Sequence, residues 1–209
     1  MTDFQTLKQN YIKGLLQTHA FIVKSIEDEP FTLRSGKKSS MFLDHSRVAS
    51  SPQAYKAFID VIIALLNETY KDKKYILCNV DSKISAQMVG SVAYSEDKPQ
   101  IIFKSQALTT IEQGTQKQLT GNVHWDLPVA LLDDVTTGGD GTAKNVADLI
   151  SEGFSLITDI QIFVGFIRKP KPTTYLTHHV LTRDELLDNI WDTLSPGQKK
   201  AVEKERDTE

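Results

Sequence analysis

The chain has 209 residues, a net charge of −3 and 40% hydrophobic residues, so we expect one globular domain with a substantial core. These values exclude collagen-like, low-complexity and disordered classes, and the mildly acidic charge argues against a nucleic-acid partner. The single cysteine, Cys78, excludes an internal disulfide framework. No apolar run approaches the ~20 residues of a membrane span and no signal-peptide pattern is visible. We therefore expect a cytoplasmic protein without a membrane partner.

The first 50 residues predict a helix followed by a small β-structure. Apolar residues at helical spacing predict an amphipathic helix over 3–19. A short apolar run follows at 21–23, and two strand candidates cover 31–34 and 41–44. The residues between these candidates, 35–40, have the composition of a turn, so we expect the two strands to form a hairpin.

Residues 51–181 show the alternation of strands and helices that is typical of an α/β domain. Ser51-Pro52 is a strong helix start, because serine caps free amides and proline tolerates the first helical position. The alternation predicts a mostly parallel sheet flanked by helices. We expect strands near 75–80, 100–103, 128–132 and 158–167, and helices near 84–94 and 142–152. Residues 104–127 are polar without clear periodicity, and a loop of that length is usually functional or mobile.

Residues 182–209 are expected to form C-terminal helices within the same structural domain. Thr182 and Glu185 have the spacing of a capping box, which predicts a helix start. Ser195-Pro196 predicts a second start, and the mixed-charge tail beyond it is expected to be a solvated or frayed helix.

The strongest chemical signal lies where a hydrophobic strand ends in Asp133 and Asp134. A Thr/Gly turn follows at 136–139, and a helix begins directly after it. Backbone amides of such a turn and the helix N-terminus suit a phosphomonoester. The two carboxylates can accept hydrogen bonds from vicinal sugar hydroxyls or help to place Mg²⁺. The combination fits a 5-phosphorylated ribose, while an acidic strand end that merely turns into a helix remains the alternative.

This segment resembles the phosphoribosyl-pyrophosphate (PRPP) motif of type I phosphoribosyltransferases. A second element, FTLRSGKKS at 31–39, is similar to the signature of the orotate phosphoribosyltransferases within that family. The resemblance covers about residues 11–168. It implies a type I phosphoribosyltransferase-like fold, with a central mostly parallel sheet flanked by helices and a small N-terminal hood.

The resemblance also implies an activity and a set of site residues. The activity is transfer of 5-phosphoribosyl from PRPP to orotate, giving orotidine 5′-monophosphate and pyrophosphate in pyrimidine biosynthesis. It further implies Mg²⁺, which would come with PRPP, and a homodimer. Asp133, Asp134 and Lys104 would be catalytic. The residues implied to bind PRPP are Asp133, Asp134, Val135, Thr136, Thr137, Gly138, Gly139, Asp140, Gly141 and Lys83. Those implied to bind the base are Arg34, Ser35, Phe42 and Arg168.

Three departures from the family pattern leave two alternatives open. After Lys104, the long loop has no further cation until Lys117, although the family concentrates cations there. The turn at 80–85 has no glycine, and Asp140 stands where the family favours a hydroxyl. The alternatives are a non-catalytic PRPP- or nucleotide-binding relative with a sensing or interaction role, and an enzyme that uses another base.

Two further side chains are interpreted as structural. Cys78 lies inside a predicted buried strand and is expected to be a core thiol. His45 could approach the substrate, but it is expected to be an exposed loop histidine.

Overall fold

The computed structural model describes the chain in nine stretches, with the backbone alone at some positions. The described residues are 2–33, 36–80, 82–96, 100–104, 119–121, 126–136, 140–151, 160–169 and 175–208. The helices are α1 (Phe4–Gln17), α2 (His45–Ala49), α3 (Pro52–Tyr70), α4 (Lys83–Ser95), α5 (Asp140–Ser151), α6 (Arg183–Ile190) and α7 (Pro196–Thr208). The strands are β1 (Phe21–Val23), β2 (Phe31–Thr32), β3 (Lys38–Ser39), β4 (Met41–Leu43), β5 (Ile76–Asn79), β6 (Gln100–Lys104), β7 (Leu119–Gly121), β8 (Val129–Thr136), β9 (Ile160–Ile167) and β10 (Thr177–Thr182).

The central sheet has six strands in the order β10-β9-β8-β5-β6-β7. All neighbours pair in parallel except β6 and β7, which are antiparallel. The predicted α/β class with a mostly parallel sheet is therefore confirmed. From β5 the chain continues to β6 on one side of the sheet, and from β8 it continues to β9 on the other side. The carboxyl ends of β5 and β8 thus flank the point where the strand order reverses, which is where open α/β sheets bind ligands.

The central strands β5, β8 and β9 are buried on both faces of the sheet, and their side chains alternate between these faces. Leu77 of β5 and Leu132 of β8 join the larger apolar cluster on the side of α1, α3 and α4. Cys78 and Leu131 join a second cluster with Val146 of α5 on the other side. Burial on both faces explains why these strands are continuous apolar runs. Cys78 is fully buried, as predicted for a core thiol.

Helices α4 and α5 lie on opposite faces of the sheet because of the reversal in strand order. Each connects two parallel strands, and such crossovers are right-handed. A right-handed crossover from β5 to β6 and another in the opposite direction from β8 to β9 must cover opposite faces. The two helices therefore flank the sheet at β5 and β8, with α4 on one face and α5 on the other.

The four short strands before the central sheet, β1–β4, form two separate antiparallel pairs, which we call the hood. Strand β2 pairs with β3, and β4 pairs with β1. The predicted hairpin between 31–34 and 41–44 is therefore wrong. The residues taken as its turn contain β3, which is the true partner of β2.

Strands β7 and β10 were not predicted, and two boundaries differ from the expected ones. Strand β7 lies within the stretch taken as a loop, and β10 extends the sheet beside β9. Strand β8 continues through the acidic pair to Thr136, and α5 begins at Asp140 instead of near 142. Only three residues therefore connect β8 to α5.

The two C-terminal helices pack on the hood. The predicted capping box of Thr182 and Glu185 is confirmed at the start of α6. Helix α7 follows Ser195, whose hydroxyl accepts the amide of Gln198 at 3.3 Å. The prediction of a solvated or frayed tail is wrong, because Val202 of α7 is fully buried with apolar hood residues.

Candidate active site

The acidic pair lies in the last part of β8, beside the end of β9. The Asp133 residue is only 8% exposed, and the side chain of Asp134 is 16% exposed. Thr136, the last residue of the strand, is also buried, and its carbonyl accepts the amide of Arg168 at 3.0 Å. The carboxylates are therefore held by sheet hydrogen bonds in a rigid frame and not by a loop.

Asp134 contacts two polar side chains from other elements. The hydroxyl of Ser82, the N-cap of α4, donates to Oδ1 at 3.2 Å. Nδ1 of His45 lies 3.6 Å from Oδ2. Burial raises the pKa of Asp134, and the hydrogen bonds to the carboxylate oppose that shift. This carboxylate is thus positioned by neutral partners in a poorly solvated place.

His45 is buried at the start of α2, so its interpretation as an exposed loop residue is wrong. Nε2 lies 2.6 Å from the Tyr11 hydroxyl, and the ring packs against Phe58 at 4.7 Å between centroids. Burial lowers the pKa of His45 to about 3, so the ring is neutral at pH 7 and its contact with Asp134 is not a salt bridge. The sequence contained a local signal that His45 begins a helix, because Asp44 precedes it and caps α2 through the amide of Ser46.

The turn after β5 satisfies its own backbone through serine side chains. The amide of Val80 donates to Ser85 Oγ at 2.9 Å, and the amide of Ser85 donates to Ser82 Oγ at 3.1 Å. Ser85 Oγ also donates to the carbonyl of Leu132 at 2.5 Å, which ties the turn to β8. Lys83, predicted to bind PRPP, lies exposed at the first position of α4, beside this turn.

Two of the residues implied to bind the base lie in the hood and after β9. Phe42 is 39% exposed, and its ring centre is 5.3 Å from that of Phe31. Arg168 is 9% exposed, and its guanidinium contacts both the hydroxyl of Ser39 in β3 and the carboxylate of Glu205 in α7. The structure therefore brings Arg168, one of the residues implied to bind the base, to the hood, and pairs it with an acidic side chain that the sequence did not single out.

Several predicted site residues are described only in part. Lys104, Asp140 and Gly141 are described by their backbone: Lys104 ends β6 opposite Leu119, and the other two begin α5. Val135 lies in β8 and packs against the larger apolar cluster. The remaining predictions lie outside the described residues, namely Arg34, Ser35, Thr137, Gly138 and Gly139.

The strand order, the acidic pair at its reversal and the short connection to α5 define a class, the type I phosphoribosyltransferase fold. Solved structures support this class. The chain superimposes on orotate phosphoribosyltransferase from Aeropyrum pernix with a TM-score of 0.64 at 19% identity, covering 87% of this chain and 99% of that one. With adenine phosphoribosyltransferase from Leishmania donovani the TM-score is 0.54 at 16% identity, covering 84% and 82%.

A longer protein, UMP synthase from Leishmania donovani, matches with a TM-score of 0.69 at 17% identity. The match covers 93% of this chain and 41% of that protein. This chain therefore spans less than half of the UMP synthase that it resembles.

Sequence relatives narrow the class further. The chain is 29% identical to orotate phosphoribosyltransferase from Pyrococcus furiosus over 76% of this chain and 81% of the relative. It is 24% identical to the protein of that name from Fusobacterium nucleatum, over 93% and 92%. No family model matches the chain. The resemblance drawn from the motifs is confirmed: the chain is a divergent relative of the orotate phosphoribosyltransferases.

Proposed function

We propose that this protein transfers the 5-phosphoribosyl group of PRPP to orotate, giving orotidine 5′-monophosphate and pyrophosphate. The observation that carries the proposal is the acidic pair, Asp133 and Asp134, at the carboxyl end of β8 and next to the reversal of strand order. The relatives that share the name orotate phosphoribosyltransferase support the choice of orotate as the acceptor.

The carboxylates of the pair accept hydrogen bonds from the two ribose hydroxyls of PRPP. The segment from Thr136 to Gly141 binds the 5-phosphate through backbone amides at the start of α5. Lys83 and Lys104 are assigned to the pyrophosphate of PRPP. Base recognition is assigned to Arg34, Ser35, Phe42 and Arg168.

In the reaction, the bond between the anomeric carbon and the pyrophosphate oxygen breaks as a ring nitrogen of orotate bonds to that carbon. The proton of that nitrogen goes to solvent or to the released pyrophosphate. The bonding pair leaves with pyrophosphate, and positive charge develops on the ribose ring. The chain's contribution is to hold both reactants in line and to place carboxylate charge near the ribose. Sheet hydrogen bonds on β8 and the contacts of Ser82 and His45 hold Asp134 in place for that task.

A Mg²⁺ ion is proposed to accompany PRPP. Among the described residues there is no cluster of three or more acidic, histidine or cysteine side chains that could hold a metal. This fits Mg²⁺, which is commonly bound by one or two carboxylates together with substrate phosphates. Asp133 and Asp134 are the residues that would hold it, and the ion would neutralise charge on the leaving pyrophosphate.

A homodimer and a cytoplasmic location are also proposed, by analogy with the orotate phosphoribosyltransferases that the chain resembles. No helix in the described parts of the chain is long and apolar enough to cross a membrane.

The second candidate function is a PRPP- or nucleotide-binding protein without turnover. It is favoured by the turn after β5, where the hydroxyls of Ser82 and Ser85 already accept the amides of Ser85 and Val80. Amides that are bonded within the turn are not available to a pyrophosphate oxygen. Lys83 lies exposed beside this turn and would be the cation nearest to it.

A single assay separates these candidates. The protein is incubated with PRPP and Mg²⁺ and with orotate, uracil or adenine, and nucleotide formation is measured, while calorimetry measures PRPP binding. We expect orotidine 5′-monophosphate from orotate alone. Binding of PRPP without any product would favour the second candidate, and product from uracil or adenine would assign another acceptor base.

A further inference from the structure

The carboxylate of Glu205, near the end of α7, lies in a cradle of donors between the hood and the central sheet. Ser40 donates to it from its backbone amide at 2.8 Å and from its hydroxyl at 2.6 Å, and Ser39 Oγ lies 3.0 Å away. The guanidinium of Arg168 forms an ion pair with the same carboxylate. The Glu205 side chain is only 12% exposed, so these contacts are largely shielded from water.

The donors of this cradle come from two parts of the chain. Arg168 directly follows β9, and Ser39 and Ser40 lie at the junction of β3 and β4. A guanidinium, a backbone N–H and hydroxyl groups together are the donor set that binds a carboxylate strongly. Arg168 is also the arginine that the proposed function assigns to the base. A substrate base with a carboxylate group would therefore use the donors that Glu205 now uses.

Helix α7 has other attachments that do not depend on Glu205. Val202 is fully buried in an apolar cluster with residues of β1, β4 and α6. Gln198 donates to the carbonyl of Val23 at 2.7 Å, and Arg206 pairs with Asp184 at 3.0 Å. The side chain of Glu205 can consequently leave the cradle by rotating its own bonds while the helix stays packed.

We propose that Glu205 is an internal carboxylate that occupies the subsite for the carboxylate of the acceptor base. This inference rests on the proposed function. A carboxylate-bearing base must displace Glu205 from Arg168, Ser39 and Ser40 before it binds, whereas an uncharged base makes no use of that subsite. The residue thereby sets how strongly the site selects acidic bases. If the occupied state makes up about 90% of the free protein, it weakens the apparent affinity for such a base about tenfold.

The test compares Glu205→Gln with Glu203→Gln, an equal change of charge at an exposed position of the same helix. Calorimetry measures the dissociation constants of orotate and of uracil, which has the same ring without the carboxylate. We expect Glu205→Gln to bind orotate about tenfold more tightly, which is about 1.4 kcal/mol. We expect uracil binding to be unchanged in both variants and orotate binding to be unchanged in Glu203→Gln.

The inference is overturned if Glu205→Gln binds orotate no more tightly than the unaltered protein, or if uracil binding improves equally. Should Glu205→Gln fail to fold, Glu205→Asp replaces it, because the shorter side chain keeps the charge but reaches the cradle less well. It should also tighten orotate binding, and an unchanged constant overturns the inference.

Turnover with PRPP and Mg²⁺ distinguishes failure of this inference from failure of the proposed function. Orotate turnover with no tighter binding in Glu205→Gln overturns the inference alone. Tighter binding without turnover in either protein supports the subsite and overturns the proposed enzyme activity. Absence of orotate binding in both proteins overturns both.

Discussion

Two buried carboxylates in this protein lie in contrasting surroundings. Asp134, at the end of β8, contacts the neutral groups of Ser82 and His45, and burial raises its pKa. Glu205, between the hood and β9, contacts the guanidinium of Arg168 and three further donor groups. The first region has acceptor capacity without a cation beside it in the contacts described. The second region already contains both the anion and its cation.

The difference suggests how the two halves of the site would act. A carboxylate with neutral neighbours, such as Asp134, gains from a ligand that brings hydroxyl donors or Mg²⁺, so under the proposed function the end of β8 would favour PRPP. A second carboxylate can use the same donors of Arg168, Ser39 and Ser40 only after Glu205 leaves them. The ribose side of the site would thus be ready for its ligand, and the base side would bind an acidic ligand only by exchange.

The largest expected effect is that of Asp134→Asn on catalysis. The amide loses the negative charge that the ribose hydroxyls and Mg²⁺ require. Loss of a charge-assisted contact of about 1.5–3 kcal/mol predicts a decrease in kcat/KM for PRPP of about 10- to 100-fold. Steady-state kinetics at saturating orotate measures it. Asp126→Asn is the control, because Asp126 is exposed in the turn before β8. Equal losses in both variants would contradict the assignment.

Stability separates the two regions next. Arg168→Met removes the cation that Glu205 contacts. Because this side chain can rotate out of the cradle at a cost of about 1.4 kcal/mol, we expect the free energy of unfolding to fall by about 1–2 kcal/mol. The double variant Arg168→Met/Glu205→Met leaves neither charge behind and should recover at least half of that loss. Urea denaturation of the two single variants and the double variant measures the coupling. Strictly additive losses would show that the ion pair does not couple these residues.

The region around Asp134 should respond to pH through His45. Its folded pKa of about 3 lies below the ordinary value of 6.5, so the unfolded chain binds the additional proton between these values. The stabilisation is complete above pH 6.5 and is lost as the pH falls towards 3. At pH 5 the loss is about 2 kcal/mol.

His45→Gln removes this titration while keeping a polar side chain beside Tyr11 and Asp134. We expect the unfolding free energy of the unaltered protein to fall by about 2 kcal/mol more than that of the variant between pH 7.5 and pH 5. Both proteins retain Asp44 and Asp134, so the comparison isolates the contribution of the imidazole. Parallel curves from denaturation at each pH would contradict the assigned pKa.

The smallest expected effect is that of Gly90→Ala, in a comparison of two glycines. A Cβ at Gly165 of β9 would lie 2.5 Å from Phe58 and 3.0 Å from the carbonyl of Asp134, whereas one at Gly90 of α4 would meet nothing within 4 Å. Gly165→Ala should therefore destabilise by about 1–3 kcal/mol. Gly90→Ala should stabilise the helix by about 0.5–1 kcal/mol. Thermal denaturation measures the sign of the stability change in each variant. A stabilised Gly165→Ala would show that the Phe58 ring can move aside without loss of stability.

Local sequence signals predicted most of the central elements because those signals act over short distances. The serine before Pro52 and the capping box at Thr182 and Glu185 marked helix starts. Continuous apolar runs marked β5 and β8, since both faces of a parallel sheet are buried. The acidic pair and the short turn after it could be proposed as a site from sequence, because those residues are contiguous in the chain.

Pairing and burial across long separations escaped prediction. The partner of β2 proved to be β3 instead of β4, because two-residue strands carry too little periodicity to specify their pairing. The residues of β7 were taken as part of a loop. His45 has polar neighbours on both sides in sequence, and only the packing of Tyr11 and Phe58 makes it a buried neighbour of Asp134.

By itself, the sequence of this protein determined an α/β class and predicted a contiguous ribose-phosphate motif at 133–141, because helix caps, apolar runs and motif residues are local properties. Tertiary structure alone decided that a tail with mixed charge packs on the hood and that Glu205 meets Arg168, which is 37 residues away in sequence. Such a contact depends on how β9, the hood and α7 come together in space. A charge pattern does not encode which distant partner a carboxylate will contact. Only the three-dimensional structure could therefore show that Glu205 contacts Arg168.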